Sequence, residues 1–231
     1  MSQYTADFAL VCEGLTDFVA LENILIGYCK GQAREPLITQ AQPLSDATGE
    51  STWRSYGGWE YVFRYLQEGL HRDALERNEY LVIQIDTDTS EHAHYGVPQS
   101  EAGQPLSPET MVYRVAARLR AILGPEDCAT YGDRLIFAIC VRELECWLLP
   151  LWENDAKAAK TTGCLPSLNA ALKRLNQKPI NPQAKNVRTY QDISRGYLKQ
   201  KVLLAEGPRN PSLGIFLAEL STRTFTLTES D

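Results

Sequence analysis

The 231-residue sequence predicts an α/β fold: a mostly parallel four-stranded sheet flanked by helices, with a helical extension at its C-terminal end. Three observations predict it. Short continuous apolar runs alternate with stretches whose apolar residues recur every three or four positions, the strand–helix–strand order of parallel sheets. After residue 143 the pattern is helical throughout, in pieces broken by Pro166, Pro179, Pro182 and Pro208. Hydrophobic residues make up 44% of the chain and charged residues 23%, which excludes a disordered or collagen-like polymer. A chain of this length buries a sizeable core without covalent staples.

Each element has a local reason. Phe8-Ala9-Leu10-Val11-Cys12 is a short buried strand. Glu13-Gly14 follows it, then Thr16 as N-cap of a helix whose face is Phe18, Leu21, Ile24, Leu25 and Tyr28. Pro36-Leu37-Ile38-Thr39 is a second strand. Gly57 and Gly58 mark a boundary, and Trp59, Val62, Phe63, Leu66 and Leu70 then mark one amphipathic helix. Tyr80 to Ile85 is the clearest buried strand, and it ends at Asp86. Ser107-Pro108 opens a helix by cap and first-turn chemistry, with Met111, Val112, Val115, Leu119 and Ile122 on one face. Arg134 to Val141 is the fourth strand. The polar stretch from Asp86 to Pro108 holds three prolines and two glycines, and connections of that length are usually functional or mobile.

No apolar run approaches the ~18 residues that cross a bilayer, and the start of the chain has neither a basic nor an apolar leader region. The expected location is cytoplasmic. Six cysteines, Cys12, Cys29, Cys128, Cys140, Cys146 and Cys164, show no Cys-x-x-Cys or zinc-ligand spacing and are expected as reduced core thiols. The formal net charge of −6 hides a segregation. Residues 1–150 carry 22 acidic and 11 basic side chains, whereas residues 151–210 carry 4 acidic and 11 basic. An acidic body suits cations, and a basic segment suits phosphates.

Two acidic clusters fall just past the carboxyl ends of strands, where parallel sheets build their sites. They are Glu13-Gly14-Leu15-Thr16-Asp17 and Asp86-Thr87-Asp88. Carboxylates that converge repel one another unless a cation joins them, and Mg²⁺ takes a few carboxylates together with phosphate oxygens. Gly14 allows a tight strand-to-helix turn beside them, and the helix amino end there favours a phosphate. His92 and His94 form a His-x-His pair on a polar loop, an incomplete metal site. Trp53 and Trp59 are candidates for base stacking, though Trp59 also fits the helix core. Trp147 and Trp152 are expected to anchor the C-terminal helices.

The segments Ala9 to Asp17 and Val82 to Asp88 together resemble the TOPRIM domain of topoisomerases, primases and OLD-family nucleases. The resemblance covers roughly residues 7 to 150, and its nearest flavour is the small stand-alone TOPRIM and OLD-type nucleases linked to phage defence. It implies a TOPRIM-like, Rossmann-like catalytic domain at 1–150, with a helical, basic extension at 151–231 packed on it. It implies that Glu13 binds metal and does acid/base chemistry, that Asp86 and Asp88 hold Mg²⁺ or Mn²⁺, and that Asp17 joins a second metal. In Val141-Arg142-Glu143-Leu144-Glu145, Glu145 matches a further acidic ligand, while Glu143 stands where OLD-type sites have serine. Lys185 is the candidate for the downstream catalytic lysine of those sites. The OLD ATPase portion is absent, as no Walker A pattern occurs.

The implied activity is a Mg²⁺- or Mn²⁺-dependent endonuclease cutting DNA or RNA, an effector of bacterial anti-phage defence. Two cations about 3.5–4 Å apart clamp the attacking and leaving oxygens in such displacements. The expected partners are nucleic acid, an ATPase protein and further copies of the chain, with no membrane. The basic segment, with Lys173, Arg174, Lys178, Lys185, Arg188, Arg195, Lys199 and Lys201, would track the phosphate backbone. Two alternatives stay open. Asp86-Thr87-Asp88-Thr89-Ser90 also resembles the haloacid-dehalogenase phosphatase loop, in which the first aspartate is the nucleophile. A TOPRIM scaffold without catalysis, binding a partner ATPase, is the other.

Overall fold

In the computed structural model, residues 4–43, 58–225 and 227 are described. Four parallel strands form the main sheet: β1 (Ala6–Val11), β2 (Ile38–Gln42), β3 (Asn78–Asp86) and a last strand, Leu135–Cys140. Between the third and last lies a small antiparallel hairpin, β4 (Ser100–Glu101) and β5 (Gln104–Pro105), so the last strand is β6. The order across the sheet is β2-β1-β3-β6. Helix α1 (Leu15–Tyr28) links β1 to β2. Helices α2 (Gly58–Gln67) and α3 (Leu70–Arg77) link β2 to β3, and α4 (Pro108–Leu123) and α5 (Pro125–Tyr131) link β3 to β6. The extension holds α6 (Glu145–Leu148), α7 (Cys164–Arg174), α8 (Val187–Ser194), α9 (Gln200–Glu206) and α10 (Pro211–Ser221), joined by short 3₁₀ turns.

The strand order explains the layering. From β1 the chain steps one way to β2, then returns past β1 to β3 and on to β6. Right-handed crossovers must therefore use opposite faces before and after the reversal. Phe8, Leu10, Val82, Ile136 and Ala138 face α1 and the extension helices in one core. The alternate residues Ala9, Val11, Leu81, Ile83, Phe137 and Ile139 face α2 to α4 in the other. This is the period-two alternation of a strand buried on both sides. The reversal falls between β1 and β3, so the crevice at their carboxyl ends is the natural ligand position of the sheet.

The extension shares one hydrophobic cluster with α1 and the sheet, including Trp147, Leu168, Tyr190, Tyr197 and Phe216. Trp147 Nε1 donates to Ser212 Oγ at 2.8 Å, and Trp152 Nε1 to the Ile193 carbonyl at 3.0 Å, which makes both tryptophans anchors. Gly27 is needed where the extension crosses α1: a Cβ there would lie 1.8 Å from the Tyr197 carbonyl oxygen. Among the described residues no helix is long and apolar enough to cross a membrane.

Several expectations need correction. Helix α1 starts at Leu15 behind Gly14, with no side-chain cap, and the Thr16 hydroxyl donates instead to Asp17 Oδ2 at 3.3 Å. The amphipathic helix expected from Trp59 to Leu70 is two helices, because Gly69 adopts a left-handed φ of 76° between them. The edge strand β2 runs on through Gln40 and Gln42, polar residues that hid it. Pro166 does not break the extension: it lies in the first turn of α7, where no intrahelical N–H is required. The cysteines are not all reduced. Cys146 and Cys164 form a disulfide, while Cys12, Cys29, Cys128 and Cys140 are free. Their meeting has a local cause: Glu143 Oε1 accepts the N–H groups of Cys164 and Leu165 at 3.0 and 2.9 Å, seating the start of α7 beside α6. Ser107 does cap α4, accepting from Thr110 N at 3.2 Å. Trp53 and Gly57 lie outside the described residues.

The stretch after Asp86 is pinned to the end of the sheet. The Tyr95 hydroxyl donates to the Asp86 carbonyl at 3.0 Å, and Gln99 Nε2 donates to the carbonyls of Thr87 and Asp88 at 2.7 and 2.8 Å. Tyr95 and Val97 are buried among α2 and α4 residues.

Candidate active site

The acids at the ends of β1 and β3 meet. The Asp86 backbone N–H donates to Glu13 Oε1 at 2.7 Å, across seventy-three positions of sequence. Between them lies Gln84, on the face of β3 that carries Val82 and wholly buried. Its Oε1 accepts the Glu13 N–H at 3.1 Å. Its Nε2 donates to Asp86 Oδ1 at 3.0 Å and to Asp17 Oδ1 at 3.3 Å. One amide thus ties three acidic residues from three elements. The sequence shows it as a polar residue inside an apolar parallel strand, a position that ordinarily carries a hydrophobe.

Glu145, at the start of α6, faces the same cluster from the far side. It is fully buried, and its Oε1 accepts from Lys185 Nζ at 2.8 Å and from the Tyr190 hydroxyl. Its Oε2 has no hydrogen-bond partner. Lys185, from the loop before α8, keeps 41% of its side chain exposed. Asp86 Oδ2 accepts the Leu144 N–H at 3.3 Å, which links the β3 end to the segment carrying Glu145. Asp88 is exposed at the rim. The structure therefore groups Glu13, Asp17, Asp86, Glu145 and Lys185, with Asp88 at the edge. Glu143 turns away to cap α7. Gln84 and Tyr190 are the members that sequence reasoning missed; Tyr190 reads as an ordinary apolar position of a surface helix.

The cluster is electrostatically unbalanced. Burial, then the charge on Asp17, holds the Glu13 carboxyl well above its usual range. Burial and the charges on Asp17, Glu13, Glu145 and Asp88 do the same to Asp86. Asp17 is pushed up to about 6 by burial and Glu145, with Lys185 working the other way. Burial opposes the Lys185 charge, but the Glu145 carboxylate and the hydrogen bond to it prevail, and its pKa is raised. Among the described residues, one ammonium thus serves four packed acids.

A cleft of about 300 Å³ reaches this cluster at Glu13 and Lys185 and is lined also by Thr16, Gly58, Tyr61 and Val187; Asp17, Asp86 and Glu145 lie behind that lining. Gly58, at the start of α2, forms its opposite lip. A Cβ at that position would lie 2.8 Å from Glu13 Cβ and 3.0 Å from Glu13 Oε2, so only glycine lets α2 approach.

The donor set is one of carboxylate oxygens, which hard divalent cations prefer. The orphaned Oε2 of Glu145 and the mutually raised acids fit such a cation. The oxygens are spread, with the Gln84 amide between two of them. Among the described residues, the only trio of candidate ligand atoms within 4.8 Å of one another is Glu143, Cys146 and Cys164, and there the two sulfurs are bonded to each other. His92 meets His94 and Trp59 in tilted ring contacts, with centroids 5.4 and 5.3 Å apart.

No protein-family model, curated protein or solved structure matches the chain.

Proposed function

We propose that the chain is a divalent-cation-dependent nuclease of TOPRIM type that hydrolyses phosphodiester bonds in nucleic acid. The observation that carries this reading is the buried, partnerless Glu145 Oε2 inside a group of acids that has, among the described residues, a single ammonium for company. Burying carboxylates without counter-charge costs stability, and a site that keeps four of them is poised for a cation. Glu13, Asp17, Asp86, Asp88 and Glu145 would hold Mg²⁺ or Mn²⁺. The bound cation would supply charge neutralisation at the phosphoryl oxygens.

The residues of the chain do the rest. Water attacks phosphorus, the bond from phosphorus to the leaving sugar oxygen breaks, and the proton lost by the water must reach that oxygen. Glu13, which lines the cleft, takes that proton from the attacking water and gives it up to solvent, from which the leaving oxygen is protonated. Lys185 reaches the cleft with its charge intact and offsets negative charge on the phosphate. Gln84 and Tyr190 fix the carboxylates without touching the substrate.

The test is cleavage of plasmid, linear DNA, RNA and tRNA with Mg²⁺, Mn²⁺ or chelator, wild type beside Glu13→Gln and Asp86→Asn. Metal-dependent cleavage that falls at least ~100-fold in both variants is expected, in the range of lost acid/base catalysis. Chelator-resistant cleavage, or variants as active as wild type, would falsify the mechanism. An acyl phosphate trapped on Asp86 would assign the protein to the phosphatases instead.

A further inference from the structure

Helix α8 has two faces with different tasks. Tyr190, Ile193 and Ser194 are buried. Ser194 Oγ accepts from Asn23 Nδ2 of α1 at 2.8 Å, and Tyr190 holds Glu145. The opposite face carries Arg188, Gln191 and Asp192, and Arg195 follows at the start of the next 3₁₀ turn, at spacings of three, four and seven from Arg188, all exposed. Lys185, on the loop leading into this helix, reaches the acids of the site.

Three hollows follow one another along this segment. The first is the cleft at Glu13, which includes Lys185 and Val187. The second, of about 480 Å³, includes Lys178, Asn181, Asn186 and Arg188. The third, of about 310 Å³, includes Asn23, Arg188, Gln191 and Arg195. Arg188 is shared by the second and third, and Asn186 of the second lies between Lys185 and Val187 of the first.

Much of the positive charge of the extension is spent elsewhere: Lys157 and Arg174 pair with Glu153, and Arg209 with Glu206. Lys178 and Arg195 make no ion pair among the described residues. Arg188, 83% exposed, has only Asp192 at 3.7 Å, a solvated pair that a phosphate can replace at little cost. Asp192 is the one carboxylate among the residues that line the second and third hollows.

We propose that Lys178, Arg188 and Arg195 form the backbone-binding track of a nucleic-acid strand, leading it along α8 into the cleft where Glu13 and Lys185 meet. The proposal rests on the nuclease reading for its direction, but the track binds phosphates whether or not the acids cut them. Arg188 and Arg195 are about 10 Å apart along the helix axis, which spans roughly three phosphates of one strand. The side chains offered are phosphate contacts, so the track positions a strand without reading its sequence.

Fluorescence anisotropy with labelled single- and double-stranded 30-mers, in chelator to prevent cutting, tests it on the full chain. The double variant Arg188→Ala/Arg195→Ala should bind ~10-fold more weakly, and its slope of log K against log [NaCl] should be shallower by about 1.5. Lys30→Ala, past the C-terminal end of α1 and outside the lining of the three hollows, removes a surface cation paired with Glu35 and should change neither quantity. Circular dichroism melts establish that both remain folded, and Arg188→Gln/Arg195→Gln serves as a second double variant. Equal losses in Lys30→Ala, an unchanged salt slope, or polyglutamate binding in preference to nucleic acid would overturn the track; the last would assign the face to an acidic protein partner. A track that binds as expected while the protein cuts nothing leaves this inference standing and removes the nuclease reading.

Discussion

The molecule treats its buried acids in two opposite ways. At the start of α5, Asp127 accepts from His71 Nε2 at 2.7 Å and from Arg72 Nε and Nη2 at 3.0 and 2.9 Å. Hydrogen bonds from Arg72, aided by His71, hold its carboxyl below the usual range. Asp7, on β1 away from its carboxyl end, is likewise gripped by the Arg34 guanidinium and the Leu37 N–H. At the other end of the sheet, Glu13, Asp17, Asp86 and Glu145 have polar hydrogen-bond donors but, among the described residues, one cation between them, Lys185. Acids that serve the fold are given their partners by the chain. Acids left short of partners at the carboxyl ends of β1 and β3 cost stability, and such a cost persists where function uses it. The contrast yields predictions whose signs differ between the two regions.

The largest effect expected is from metal. Mn²⁺ at ~100 times its Kd should stabilise the protein by about 2.7 kcal/mol, which raises Tm by roughly 5–10 °C for a chain of this size. Asp86→Asn should abolish that rise and itself melt no lower than wild type in chelator. A wild-type Tm indifferent to Mn²⁺ would erase the distinction between the regions. Thermal melts with and without chelator decide it.

Acidity comes next. Asp17, pushed to about 6, binds its proton more tightly folded than unfolded. The folded state is therefore favoured below pH ~4, and that advantage is lost as pH rises through 4 to 6. Glu13 and Asp86, also raised, extend the loss to higher pH. In chelator, Tm should fall by about 5 °C over this window, and Mn²⁺ should flatten the curve. Asp127, with its lowered pKa, contributes the opposite trend, and only below the usual carboxylate range. A chelator profile that rises from pH 4 to 6 would show the site acids to be neutralised by the chain after all.

A smaller change is expected when the balanced region is unbalanced. Asp127→Asn removes one acceptor oxygen and leaves the buried His71 and the exposed Arg72 without a full set of partners. Its Tm should fall by a few degrees, while Asp17→Asn in chelator should rise. Both shifting the same way would break the comparison, and paired melts in one buffer are sufficient.

How much of this was legible in the sequence follows from the same physics. Strands β1, β3 and β6 were legible because both faces are buried and the apolar runs are unbroken; α4 was legible because Ser107 and Pro108 announce it. Glu13, Asp17 and Asp86 were legible by position at strand ends. The break at Gly69 was hidden by apolar periodicity that continues across it. The Cys146–Cys164 bridge was hidden because the eighteen intervening residues do not reveal that Glu143 draws the start of α7 onto α6. Lys185 rested on a resemblance, and the ion pair that brings it to Glu145 depends on how a loop folds over a distant helix. Gln84 was the clearest missed sign, a lone amide in the most apolar strand of the chain.

Gln84 also sharpens the comparison, because it is the partner the chain does supply to its site acids. Gln84→Met keeps the volume and removes every hydrogen bond of the amide, leaving the Glu13 N–H without its acceptor and taking one donor each from Asp17 and Asp86, which keep Thr16 and Leu144. The loss of an outer contact that orients ligands typically costs 10–100-fold in metal affinity. Mn²⁺ titration followed by electron paramagnetic resonance should show at least a ~10-fold weaker Kd, equivalent to about 1.4 kcal/mol. Gln84→Glu keeps the shape and an acceptor for Glu13 but removes the donors, so it separates backbone support from carboxylate alignment. If both variants melt lower yet bind Mn²⁺ as wild type does, Gln84 is a structural tie like Arg72, and the two ends of the sheet obey one rule. If the metal affinity falls while the fold persists, the amide aligns the carboxylates that its own strand brings together.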